Sequence, residues 1–157
     1  MLAIKDKTDL KILQLLQENS KMTNLALSGK INLSPAPTLE RVKRLERRGI
    51  IESYHAVVNK EKMGLNVMTY VLVNLAWHKP NALDNFIKKI DKINEVVQCN
   101  VVTGDADLLL KIITVDIPSY EKLLFKKLSK IDEIERLKTL MVLSEVKNST
   151  VLPLKYD

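Results

Sequence analysis

Apolar residues along the first fifty positions fall at helical intervals, and after them the pattern changes to runs and alternations suited to strands. Residues 6–18 predict a first helix. Leu10, Leu13 and Leu16 follow the helical period, Ile12 thickens the stripe, and Asn19-Ser20 ends it. Asp6 is expected to cap this helix, with Asp9 three residues on closing an acidic version of the capping box. The helix has no basic face, so its expected role is support. Residues 24–49 predict two further helices around a turn. Leu25, Leu27 and Ile31 are expected to pack inward, Asn32 to make the turn, and Leu33 to anchor the approach to the next helix. That helix opens on Ser34, whose hydroxyl is expected to bond the Ala36 N–H. Pro35 takes the first helical position, where a missing N–H costs nothing. Leu39, Val42 and Leu45 make its apolar stripe, and Gly49 offers a left-handed stop.

Residues 50–58 have β character, as a wing after a recognition helix requires. Tyr54 and His55 within it read as packing or spacer residues, with a backbone phosphate as the alternative contact. Residues 59–66 form a polar hinge. Beyond it the pattern predicts strand 67–76, helix 80–90, strand 96–102, a turn at 104–107, strand 108–115, helix 118–130 and strand 137–146. Strand-helix-strand-strand-helix-strand is the order of a ferredoxin-like fold, with both helices on one face of the sheet. Strands 67–76 and 108–115 are nevertheless apolar on both sides. The uncovered face is therefore expected to be buried by a second copy of the chain. The fold class is α+β: a winged helix-turn-helix over residues 1–58, the hinge at 59–66, and a ferredoxin-like domain over 67–157.

Charge sharpens the division of labour. The net charge is +6, and it is unevenly shared: ten Lys/Arg stand against six Asp/Glu up to His55, and fifteen against thirteen after it. The shorter N-terminal part carries most of the positive field and points to a polyanion. Arg41, Lys43, Arg44, Arg47 and Arg48 cover much of the third helix around its apolar stripe. A helix with one side buried and guanidinium groups on the other suits phosphate and base edges of double-stranded DNA. The single cysteine, Cys99, lies in an apolar run and reads as a small buried hydrophobe in a reducing, cytoplasmic setting. The start, MLAIKDKTD, lacks a signal-peptide core, and no apolar run approaches membrane-spanning length, so no membrane partner is expected.

No pairing of nucleophile and base suggests an enzyme. His55 and His78 lack the spacing of metal ligands, and neither a catalytic residue nor a cofactor is expected. The turn Gly104-Asp105-Ala106-Asp107 has two readings. Gly and Asp are good turn formers and need no further reason to join two strands. Alternatively, its N–H groups and carboxylates form an edge that meets a small zwitterion.

The chain resembles the Lrp/AsnC family, the feast/famine transcription regulators, over nearly its full length. The most specific stretch is Leu33-Ser34-Pro35-Ala36-Pro37-Thr38, followed by Arg41-Val42-Lys43-Arg44-Leu45-Glu46-Arg47-Arg48-Gly49-Ile50-Ile51. It is similar to the family's LSxxxVxRRxxxLExxGxI pattern, with the prolines typical of the leucine-responsive branch. Asp6-Lys7-Thr8-Asp9, Thr103-Gly104-Asp105-Ala106-Asp107 and Glu145-Val146-Lys147 also fall where that family has them. The resemblance implies a DNA-binding regulator whose C-terminal domain takes an amino-acid effector, and which assembles as dimers and then tetramers or octamers. It implies DNA contact from Ser34, Thr38, Arg41, Lys43, Arg44 and Arg48, with Thr38 bearing on selectivity. It also implies that Gly104, Asp105 and Asp107 border an amino-acid pocket between dimers. Four positions depart from the family pattern: Asn32 for a glycine, Gly29 inside a helix, Ala106 for a larger residue, and Leu108 for a tyrosine. The rivals to this reading are a DNA-compacting structural protein and, further off, an enzyme on the ferredoxin-like sheet.

Overall fold

The computed structural model describes residues 6–154, which fall into two compact units. Residues 6–57 join residues 147–154 in the first, and Val58–Val146 make the second.

In the first unit α1 spans Lys7–Glu18, α2 Asn24–Lys30 and α3 Pro35–Arg47. Asp6 caps α1 as its sequence predicts, accepting from the Thr8 and Asp9 N–H groups at 2.8 and 3.2 Å. Thr23 caps α2 through Oγ1, which accepts from the Ala26 N–H. Asn32 turns the chain out of α2 with φ +55°, a left-handed conformation that asparagine tolerates better than most residues. The core joins Leu10, Ile12, Leu13 and Leu15 of α1 to Leu27 of α2 and Leu45 of α3. Leu25 lies outside it, 73% exposed, against expectation. Gly49 ends α3 at φ +64°, and the Ile50 N–H then reaches back to the Leu45 carbonyl at 2.9 Å.

Two features differ from the sequence reading. Residues 50–58 form no strand among the described residues. A strand exists only where a neighbour completes its ladder, and among the described residues this segment has none. Second, residues 147–154 are not part of the ferredoxin-like unit. They lie with the helices, where Gln17 pairs with the Leu152 backbone in both directions and Gln14 donates to the Leu154 carbonyl.

The second unit is a four-stranded antiparallel sheet in the order β2-β3-β1-β4. Its strands are β1 Val67–Leu75, β2 Val96–Val101, β3 Leu108–Thr114 and β4 Ile134–Met141, with helices α4 Ala82–Ile90 and α5 Ile117–Lys126. This is the predicted ferredoxin-like topology. The central pair holds a register of Val71 on Leu110 and Val73 on Leu108. Those residues face Phe86 and Ile90 of α4 and Tyr120 and Leu123 of α5 in one aliphatic core. β4 starts and ends earlier than predicted. Its Ile134 pairs with Leu75 across a bulge, and the intervening Glu135 and Arg136 hide the strand from a reading of apolar runs. Cys99 is exposed on the edge strand β2, not buried, because neither helix covers it there.

On the opposite sheet face Tyr70 and Leu72 of β1 lie beside Lys111 and Leu109 of β3. All four are half-buried, and Leu140, opposite Tyr70, is 43% exposed. No helix of the unit lies over this face.

Candidate nucleic-acid interface

The two prolines near the start of α3 decide how the helix begins. Pro37 has no N–H to offer a cap, and the Ser34 hydroxyl makes no capping hydrogen bond, contrary to expectation. The backbone does the work instead: the Ser34 carbonyl accepts from both the Thr38 N–H, at 3.3 Å, and the Thr38 hydroxyl, at 2.9 Å. Ser34 is thereby left exposed with its hydroxyl uncommitted to the helix.

Thr38 is fully buried. Its place is in the packing that seats α3, which removes it from the base-reading role the resemblance implies. The reason lies in the helix phase. Thr38, Val42 and Leu45 form the inward stripe, so Leu39, expected inside, turns 40% outward.

Arg41 shares that inward side. Its Nη1 lies 2.6 Å from Asp6 Oδ2 and 2.7 Å from Asp9 Oδ1. The other Asp9 oxygen accepts from Arg44 Nη2 at 2.8 Å. Asp9 is buried, and both of its oxygens are occupied by guanidinium donors. Two carboxylates thus neutralise two of the cations that the sequence places on a basic face. The Arg41 bond holds the Asp6 carboxyl below the usual carboxylate range, and Asp6 and then Asp9 raise Arg41 further. Sequence pattern alone does not mark Asp9 for this role; the Asp-x-x-Asp spacing at the head of α1 is the available signal, and it reads first as a cap.

Lys43, Arg44, Arg47 and Arg48 are exposed. With Ser34 they make the outward, cationic side of α3. Beyond the helix, the Tyr54 hydroxyl donates to Glu46 Oε1 at 2.8 Å. Partial burial, with the Glu46 carboxylate beside it, pushes this phenol up to about 12. His55 Nε2 meets the Ser53 hydroxyl at 2.6 Å.

The Gly104–Asp107 turn of the second unit is built differently from its sequence reading. Gly104 adopts φ +112°, a conformation that L side chains rarely take, which explains the glycine. Asp105 is exposed, and its carbonyl accepts from the Asn74 side chain at 3.0 Å. Asp107 turns inward: its Oδ2 accepts from the Leu75 N–H at 2.8 Å, and its own N–H donates to the Val73 carbonyl. That carboxylate is engaged with the sheet, so Asp105 is the turn's outward-facing acid. Ala106 and Leu108 are buried beneath the turn.

Among the described residues no group of three or more His, Cys, Asp or Glu side chains is placed to hold a metal ion, and no helix is long and apolar enough to cross a membrane.

Comparison with known proteins agrees with this geometry. Residues 5–52 match the model for winged helix-turn-helix DNA-binding domains, and residues 68–152 that for the Lrp/AsnC ligand binding domain. The leucine-responsive regulatory protein of Haemophilus influenzae is 40% identical over 150 residues, spanning 96% of this chain and 90% of that protein. Its counterpart from Escherichia coli is 36% identical, over 96% and 92%. Among solved structures, a transcriptional regulator from Neisseria meningitidis in complex with L-Met superposes with a TM-score of 0.92 at 35% identity, covering 94% of this chain and 96% of that one. An AsnC family regulator from Agrobacterium tumefaciens gives 0.89 at 30%, over 94% and 96%. The chain belongs to the Lrp/AsnC family: it is a DNA-binding transcription regulator, not an enzyme.

Proposed function

We propose that this protein recognises particular DNA sequences through the start and outer side of α3, and that a small amino acid bound by its second unit adjusts that activity. The exposed start of α3 carries the reading: Ser34 has an uncommitted hydroxyl there, and Lys43, Arg44 and Arg48 line the outer side. Backbone phosphates would meet the cations, while the leading end of the helix enters the major groove of double-stranded DNA. Arg41 and Thr38 serve the same helix from inside, by fixing its attitude.

The effector site is the turn Gly104, Asp105 and Asp107. Asp105 faces outward and suits an ammonium group, while Asp107 shapes the turn through its bond to β1. That the Neisseria relative was solved with L-Met supports an amino acid as the ligand class. Self-association proceeds through the open sheet face, where no helix of the second unit covers Tyr70, Leu72 and Leu109, giving a dimer and, from dimers, a tetramer or octamer. An effector lying between dimers would act by favouring one assembly over another.

The test is selection of duplexes from a random library by the purified protein, followed by competition with scrambled duplexes, with and without each of the twenty amino acids. A recovered consensus whose affinity exceeds that of scrambled DNA, and shifts with one amino acid, is the expected result. Binding with no sequence preference would point to DNA compaction instead.

A further inference from the structure

The buried Asp9 carboxylate lies between two arginines that receive different fates. Arg41 is half-buried and gives Nη1 to both Asp6 and Asp9, so it is a tie between α1 and α3. Arg44 gives only Nη2 to Asp9, and its side chain remains 47% exposed. A guanidinium carries five N–H donors in a rigid planar fork. Holding one of them on a buried acceptor restricts where the rest can point, and Lys43 and Arg48 are exposed on the same stretch of chain. An arginine tethered this way has little rotamer freedom left to lose when it meets an anion. Asp9 itself is held on both oxygens, so the anchor cannot swing with its load.

We propose that Asp9 is a positioning residue for DNA recognition, holding Arg44 so that its free donors meet one fixed phosphate and set the register of α3 in the groove. This rests on the reading of α3 as the recognition helix. Two consequences separate it from simple attraction of charge. A phosphate contact carries no sequence information by itself, but one held in a fixed place sets the register in which base contacts form, so it gives more to the selected sequence than to a random one. The orientation, moreover, depends on the fork: lysine at position 44 keeps the charge but cannot be held on Asp9 and face a phosphate in the same planar geometry.

The test uses the full-length protein, a duplex that the wild-type protein selects from a random library, and a scrambled duplex of the same composition. Affinities for both, and their salt dependence, are measured for Asp9→Asn, Arg44→Lys and the double variant, after circular dichroism establishes the folded fraction in the binding buffer. Both single variants should lower the ratio of selected to scrambled affinity about tenfold. Binding to the scrambled duplex should fall less than binding to the selected one, and the double variant should be no worse than either single one. Arg44→Lys alters a half-exposed side chain, so it decides the matter alone if Asp9→Asn does not fold. A wild-type ratio in Arg44→Lys would overturn the proposal. So would losses that add in the double variant, or affinities for both duplexes that fall by the same factor. A wild-type protein that selects no sequence would instead remove the reading of α3 beneath it.

Discussion

Asp107 holds the Leu75 N–H through Oδ2 at 2.8 Å, joining the turn before β3 to the end of β1 at its bulge. Leu75 is buried, so without this carboxylate its N–H would lose its partner at a part-buried position. The Asp107→Ala variant should therefore lose about 1–3 kcal/mol of stability in urea unfolding. Asp107→Asn, which keeps an acceptor oxygen, should lose much less. Asp105→Ala should leave stability unchanged while weakening amino-acid binding by calorimetry. Equal stability losses at 105 and 107 would contradict the inward and outward assignment of the two acids.

Gly29 offers the opposite case. It lies within α2 at ordinary helical φ, and a Cβ built there meets nothing within 4 Å. Gly29→Ala should stabilise the first unit by about 0.5–1 kcal/mol, because the unfolded chain loses freedom and the helix gains propensity. Thermal unfolding followed by circular dichroism reads this directly.

Acid should loosen the first unit through Asp6. The Arg41 bond lowers its carboxyl below the ordinary 3.8, so the folded state binds that proton less readily than the unfolded chain. The resulting stabilisation is present above the unfolded value and lost as pH falls through the folded one. Asparagine still caps a helix, so Asp6→Asn removes the charge and keeps the cap. The variant should be less stable than wild type at neutral pH, and the gap should narrow as pH falls below about 4 and close once it passes the lowered folded value. A gap that persists in acid would place the effect in packing instead.

Much of the fold is legible in the sequence because its period is: five helices, four strands and their order follow from apolar spacing alone. What escapes is set by partners that spacing does not carry. Residues 50–58 have strand composition but no strand neighbour among the described residues, and β4 begins beneath the polar pair Glu135-Arg136. In α3 Val42 and Leu45 lie inward as their spacing predicts, but in the first turn the polar Thr38 is buried in place of Leu39, which moves outward. The candidate interface is legible as a set of cations but not as a geometry. Asp6 and Asp9 lie some thirty-five residues before Arg41 and Arg44, and only the fold brings these four together.

The open sheet face predicts the assembly state. Leu72 of β1 sits across from Leu109 of β3 at its centre, with Lys111 and Lys138 at the flanks. Wild-type protein should sediment as a dimer or larger species at micromolar concentration, and Leu72→Glu should shift it towards monomer by placing two like charges in the interface. A wild-type protein that sediments as a monomer would remove this face from the account.

The most direct measurement of the central claim is the slope of log affinity against log salt for DNA binding by Lys43→Ala. Lys43 is exposed on the outer side of α3 and makes no ion pair among the described residues. If that side faces the phosphate backbone, the slope should fall in magnitude by about one unit relative to wild type, on selected and scrambled duplexes alike. Affinity should fall on both. An unchanged slope together with unchanged affinity would mean that DNA does not meet this side of α3.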